Sequence, residues 1–259
     1  MKLNPIKGTL LLSALLMAPA TFAVESKKPA APATPAAPAK PGAEVWVNLF
    51  DGKTLSGWDG LRDHWTVRDG LIAGTTTKGN PLKGNTFLVW TNGTVANFEL
   101  HFKYRIVPGD SQGFGNSGVQ YRSKLIDPVN FVVGGYQADF EAGTTYSGIL
   151  YEERGRGILA ERGQRTRIVE ENGQTKVIKI SQLAPSAELQ ANIRKEEWND
   201  YVVIANGNHL MHFINNRMTI DVIDEQPSKA ATEGILALQL HAGPPMLVEF
   251  KDILLKRLP

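Results

Sequence analysis

The chain has 259 residues, 42% of them hydrophobic, which is enough to bury a sizeable core, and its Cys count of 0 excludes both a disulfide framework and a cysteine-linked lipid. Lys and Arg total 28 against 26 Asp and Glu, a formal charge of +2. The basic residues are scattered among acids and no nucleic-acid-reading motif is present, so nucleic acid is not expected as a partner.

The N-terminus reads as an export leader. Lys2 and Lys7 give a basic start, residues 10–17 an apolar run, and Thr21-Phe22-Ala23 a small-x-small exit, which predicts a signal peptide over 1–23. The run is too short to span a bilayer, and no later stretch is longer, so no membrane span is expected. This places the protein in the periplasm or outside the cell, and not as a lipoprotein. Residues 24–43 alternate Ala, Pro and Lys, a composition that cannot form a core and suits an extended tether. Residues 44–259 have the length of one domain.

Within that domain the pattern is almost all β. Residues 65–67 and 71–73 flank Arg68-Asp69-Gly70, a short turn. Residues 97–106 alternate strictly, with Phe98, Leu100, Phe102, Tyr104 and Ile106 on one side and Glu99, His101, Lys103 and Arg105 on the other. Further strands are predicted over 118–122, 132–141, 148–151, 201–206, 210–215, 219–224, 235–241 and 247–256. Asn206-Gly207-Asn208 and Asn215-Asn216 supply turn residues between them. The stretch 152–194 mixes Arg and Glu and reads as a solvated, charge-paired loop region, with a helix only over 187–195. Many short strands with regular turns predict a two-sheet antiparallel jelly-roll sandwich of the concanavalin A-like type. There is no internal repeat.

Side chains alternate across a strand. Gln137, Asp139 and Glu141 therefore share one face opposite Tyr136, Ala138 and Phe140, while Gln239 and His241 share a face opposite Leu238 and Leu240. Gln120 and Arg122 form a third such pair. Together they predict a sheet with one wet, functional surface. His101, His209 and His212 lack metal-ligand spacing. Trp46, Trp58, Trp65, Trp90 and Trp198 suit packing first and sugar stacking second. There is no serine elbow, P-loop or dinucleotide fingerprint.

An ordered set of segments carries a resemblance. It opens with Leu49-Phe50-Asp51-Gly52-Lys53-Thr54-Leu55-Ser56-Gly57-Trp58 and continues through Asn116-Ser117-Gly118-Val119-Gln120-Tyr121-Arg122 and Gly135-Tyr136-Gln137-Ala138-Asp139. Leu150-Tyr151-Glu152-Glu153, Trp198-Asn199-Asp200-Tyr201, Asn206-Gly207-Asn208, residues 234–243 and Val248-Glu249-Phe250-Lys251-Asp252-Ile253 complete it. Over residues 47–258 the chain resembles the 3-keto-disaccharide hydrolase domain family. The resemblance implies a concanavalin-like jelly roll, export, and cleavage of small carbohydrates oxidised at carbon 3. Many members carry Glu and Gln where this chain has Gln137 and Asp139, so the acid moves two positions along the same face.

A ketone at C3 acidifies the C2 hydrogen, so a base can remove it, the group on C1 can leave, and water can add back. Direct hydrolysis between two carboxylates is the other route. On face-sharing and resemblance, His241 is the expected acid or base, Asp139 its orienting partner or a base itself, and Arg122 the group that stabilises the enolate oxygen. Gln137, Glu141, Tyr151, Glu153, Gln239, Gln120 and Asn116 are expected to bind substrate. No cofactor is expected and no tight metal motif is present; a divalent cation held by Asp139, Glu141 or Glu153 with His241 is the alternative. A non-catalytic, lectin-like carbohydrate-binding module and an envelope interaction domain are the competing functions. The aglycone, the anomeric configuration, the oxidising partner and the oligomeric state stay open.

Overall fold

The computed structural model describes residues 45–259, so the predicted leader and tether lie outside the described residues. The chain runs through β1 (Trp46–Asn48), β2 (Trp58–Asp59), β3 (Trp65–Arg68), β4 (Leu71–Thr76), β5 (Thr86–Trp90) and β6 (Phe98–Pro108). It continues through β7 (Asn116–Asp127), β8 (Val132–Glu141), β9 (Leu150–Glu153), β10 (Gly157–Ala160), β11 (Gln164–Glu171) and β12 (Gln174–Gln182). After a short helix, α1 (Ser186–Ala191), come β13 (Asn199–Asn206), β14 (His209–Ile214), β15 (Arg217–Asp224), β16 (Ile235–Leu240) and β17 (Met246–Arg257).

These strands form two sheets. A 10-stranded sheet runs β12-β11-β15-β14-β13-β6-β17-β4-β3, with β1 added beside β17, and a 7-stranded sheet runs β10-β9-β8-β7-β16-β5-β2. Pairing is antiparallel except between β11 and β15. The inner faces meet in one apolar core. Phe98, Leu100, Phe102, Tyr104 and Ile106 of β6, the side predicted to be apolar, are each at most 3% exposed. They pack against Tyr136, Ala138 and Phe140 of β8 and Leu238 and Leu240 of β16. Tyr104 of β6 stacks on Phe140 of β8 at 3.8 Å between centroids, so an aromatic contact ties the two sheets together where cysteines are absent, and Phe102 stacks on Tyr201 at 5.1 Å within the larger sheet. The protein is an antiparallel jelly-roll sandwich.

The predicted charged loop over 152–194 is a correction. Residues 164–182 form the hairpin β11–β12, turned at Asn172 and Gly173 with φ of 53° and 74°. Only Thr166 and Ile168 of that hairpin are buried, so its apolar content is too low to stand out. Arg156 is likewise no solvated surface residue. Its guanidinium donates to Glu152 at 2.7 Å and Asp224 at 2.7 Å, with its side chain only 1% exposed. The strand β5 escapes the period-2 test because all five of its residues are buried.

Candidate active site

The outer face of the 7-stranded sheet carries the polar residues that the alternation predicted. Register places Gln120 opposite Gln137, Gly118 opposite Asp139, Gln137 opposite Tyr151 and Gly135 opposite Glu153. Gly118 is the local device that makes the site. A Cβ there would lie 2.6 Å from Gln137 Cγ, so the missing side chain is what lets Gln137 lean over β7 toward β16. The Gln120 and Gln137 carboxamides then meet at 2.6 Å, Gln137 and Gln239 at 3.2 Å, and Gln239 lies 3.5 Å from Glu153 Oε2.

Above this row opens a cavity of about 310 Å³. Its walls include Asn116, Gln137, Asp139, Tyr151, Glu153, Gln239 and His241, seven of the ten residues expected at the site. The floor, however, is not wet: Gln120, Gln137 and Gln239 are at most 1% exposed, and Asp139 is 5% exposed. Asp139 Oδ1 is buried without a hydrogen-bond partner. Burial, reinforced by the nearby Glu141, holds the Asp139 carboxyl protonated well above the usual carboxylate range. Burial also pushes Glu153 up, against the opposing pull of Arg154, Asn85 and His241.

His241 sits just past β16 at the rim. Its Nδ1 lies 2.5 Å from the Ala242 carbonyl oxygen, and a carbonyl only accepts, so Nδ1 carries the hydrogen in the neutral ring and Nε2 keeps the lone pair. Nε2 has no hydrogen-bond partner among the described residues. The Ala242 N–H donates to Asn85 Oδ1 at 3.0 Å, and Phe114 packs beside the imidazole with centroids 5.6 Å apart. The ring is thus held at Nδ1 and beside Phe114, with Nε2 left unpartnered.

Three expected site residues stand elsewhere. Arg122 is corrected outright. A register shift after Tyr121 and a φ of 47° turn it off the Gln120 face. Its guanidinium donates to the carbonyls of Ala96 at 2.7 Å, Gly207 at 2.6 Å and Ala231 at 3.2 Å and to Asn97 Oδ1 at 3.3 Å. Glu141 is not a cavity wall either. Its Oε1 accepts the backbone N–H groups of Thr145 at 2.5 Å and Tyr146 at 2.8 Å and so clamps a loop. Gln120, at the far end of the glutamine row, touches Gln137 and is not a wall of the cavity. Among the described residues no three His, Asp or Glu side chains converge as metal ligands.

Sequence reasoning missed Asn85, Tyr146, Ile149 and Ile158, which complete the walls. Asn85 immediately precedes the unrecognised β5. Tyr146 and Ile158 are each 43% exposed, a state that sequence alone does not reveal. The tryptophans take no part: Trp58, Trp65 and Trp90 are buried in the core, and Trp198 lies under Lys251 and Arg105, with Lys251 Nζ 4.1 Å from the ring centroid.

A jelly roll with a polar cavity on one outer sheet face is a domain built to hold a small polar molecule. Residues 45–256 match the 3-keto-alpha-glucoside-1,2-lyase-like domain, and the chain belongs to that family. Two crystal structures from Parabacteroides distasonis ATCC 8503, both provisionally named glycosyl hydrolases, share its fold. One is 17% identical with a TM-score of 0.53, covering 83% of this chain and 100% of its own. The other is 18% identical with a TM-score of 0.52, covering 83% and 94%. No curated protein matches the chain. No helix among the described residues is long and apolar enough to cross a membrane.

Proposed function

We propose that the protein is an exported enzyme that cleaves 3-keto-glycosides by elimination across C1 and C2, followed by hydration. The observation that carries this reading is the imidazole of His241, held at Nδ1 with Nε2 unpartnered, at a cavity whose buried acid Asp139 holds its proton. His241 Nε2 removes the C2 hydrogen, whose acidity comes from the adjacent ketone. Electron density passes to the C3 oxygen, and neutral Asp139 donates a hydrogen bond to it, in place of the guanidinium expected from the sequence. The C2–H electrons then form the C1=C2 bond, the C1–O bond breaks, and the leaving oxygen takes up a proton. Water adds back with its oxygen on C1 and a hydrogen on C2. Gln137, Gln239, Asn116 and Tyr151 provide hydroxyl-binding groups.

The size supports a disaccharide. Small-molecule pockets run from about 300 Å³ upward, and the cavity shares Tyr146, Ile149 and Ile158 with a neighbouring hollow of about 230 Å³. The first hollow takes the oxidised sugar and the second its departing partner. The family description supports lyase chemistry, and the basic-then-apolar start of the chain supports export.

Incubation with a 3-keto disaccharide in deuterated water should release product carrying deuterium at C2, with no release from the unoxidised parent. His241→Ala should lower kcat/KM by about 10²-fold or more. Binding without turnover of any 3-keto-glycoside would assign the domain to the carbohydrate-binding modules instead.

A further inference from the structure

The row of glutamines beneath the cavity has a direction. One end of the Gln120 carboxamide lies 3.2 Å from the Gly135 carbonyl oxygen, 3.2 Å from the Tyr136 carbonyl oxygen and 2.7 Å from Ser123 Oγ. Two carbonyl oxygens accept only, so the group facing them is Nε2. The two Nε2 hydrogens are shared among these three acceptors, and Ser123 Oγ, relieved of donating to Gln120, passes its own hydrogen to the Tyr121 carbonyl oxygen at 3.0 Å. In the opposite orientation Ser123 Oγ would donate to Gln120 Oε1 at 2.7 Å, but the Gly135 and Tyr136 carbonyl oxygens would both face an oxygen.

The choice propagates. With Gln120 Nε2 turned to the backbone, Gln120 Oε1 faces Gln137 across 2.6 Å, and Gln137 must donate to it through its own Nε2. Gln137 Oε1 then faces Gln239 at 3.2 Å and draws the Gln239 Nε2 hydrogen. This leaves Gln239 Oε1 pointing at Glu153 Oε2 across 3.5 Å. Two oxygens that both lack hydrogen oppose each other there, unless Glu153 carries a proton. The far side of Glu153 agrees. Asn85 Oδ1 is taken by the Ala242 N–H at 3.0 Å, so the end of Asn85 left for Glu153 is its NH₂ group. Glu153 thus meets an acceptor on one side and a donor on the other, the surroundings of a neutral carboxylic acid.

We propose that Glu153 is the acid that protonates the departing glycosidic oxygen, kept protonated by the one-way row Gln120–Gln137–Gln239. The inference rests on the elimination reading above and supplies its leaving-group proton: the Glu153 O–H bond breaks, the aglycone oxygen gains the hydrogen, and Glu153 is left a carboxylate. His241, which has taken the C2 hydrogen, is then an imidazolium across the same cavity, so the site's net charge does not change. The ionisable groups bearing on Glu153 are His241 after β16, Arg154 beside it, and Asp139 and Tyr151 on the same sheet face. Burial is the largest influence, and it acts in the same direction as the row. Gln120, which does not touch substrate, is a positioning residue.

Two measurements test this on the full chain. In the first, infrared spectra of wild type against Glu153→Gln isolate the Glu153 carboxyl band over a pH series. Wild type should show a protonated Glu153 at pH values where a free glutamate is ionised, and Gln120→Leu, which releases the row, should ionise it at lower pH. An ionised Glu153 in the wild type overturns the proposal even if Gln120→Leu fails to fold. In the second, kcat/KM is compared for a 3-keto disaccharide and a 3-keto nitrophenyl glycoside, whose leaving group needs no acid. Glu153→Gln should lose about 10²–10⁴-fold on the disaccharide and no more than about tenfold on the nitrophenyl glycoside. Equal losses on both substrates, in a wild type active on both, overturn the acid role alone. A wild type inert toward every 3-keto-glycoside defeats the elimination reading itself.

Discussion

Arg122→Met separates a structural arginine from a catalytic one. The guanidinium is 2% exposed and every acceptor it meets is a neutral oxygen: three carbonyls and the Asn97 side chain. Hydrogen bonds from a charged donor are worth roughly 1.5–3 kcal/mol each. Burial without a carboxylate depresses the Arg122 pKa, and removing the charge recovers part of that desolvation. Taking about 1 kcal/mol per bond as the net, the loss is about 4 kcal/mol. For a domain of this size that is a Tm lower by about 8–16 °C. Arg122→Lys, with a single nitrogen, should fall between. Scanning calorimetry reads the Tm, and kcat/KM of the folded variant at 25 °C should stay within about threefold of wild type, because Arg122 is not a wall of the cavity. A Tm within about 2 °C of wild type together with a hundredfold loss of kcat/KM would return Arg122 to the site and refute this account.

Asp139→Asn should be more stable than wild type at neutral pH, with the gap closing toward pH 4. The native state holds a proton that the unfolded chain releases above 3.8, so wild type loses stability as pH rises toward the elevated native value; urea unfolding at two pH values checks it. His212, fully buried between the hydroxyls of Tyr121 at 3.0 Å and Tyr201 at 3.2 Å, is pushed down by burial to about 3. Its contribution is complete above 6.5 and is lost as pH falls toward 3, so His212→Gln should flatten the acid limb of a Tm–pH curve. Gly118→Ala places a methyl against Gln137, and should lower stability by about 1–3 kcal/mol and kcat/KM by about tenfold or more, read by thermal unfolding and turnover.

The fold was legible because its strands obey period 2. β6, β8 and β16 sort their side chains in the sequence as they do in the sandwich, and turns such as Asn206-Gly207, between β13 and β14, mark strand ends elsewhere. What failed was reading a face as solvent. Alternation says which side Gln137 and Gln239 share, but not that Tyr151, Glu153 and their own mutual contacts cover them. Arg122 failed for a related reason: its partnership with Gln120 assumed unbroken pleating, and one bulge in β7 cancels it. Glu141 kept its predicted face, yet a loop that closes on its carboxylate removes it from the cavity. The Asn172-Gly173 turn was available as a hairpin signal in the region taken for a charged loop.

The protonation of the cavity's two carboxyls bears on the choice between the routes. Direct hydrolysis of a glycoside needs one carboxylate ionised, to attack the sugar or activate water, and one acid protonated. Here burial pushes both Asp139 and Glu153 toward the neutral form, and Glu141, the remaining acid on that face, is engaged with its loop. Neither Lys nor Arg walls the cavity, so the site also lacks a cation that could acidify an ordinary C–H bond. On the reading proposed above, the cavity that takes the oxidised sugar has one base and neutral hydrogen-bond donors. It can remove a proton that the substrate has already made acidic, and it has little purchase on a sugar without a ketone beside C2. The specificity for oxidised sugars that we propose would then arise from what the cavity lacks as much as from what it binds.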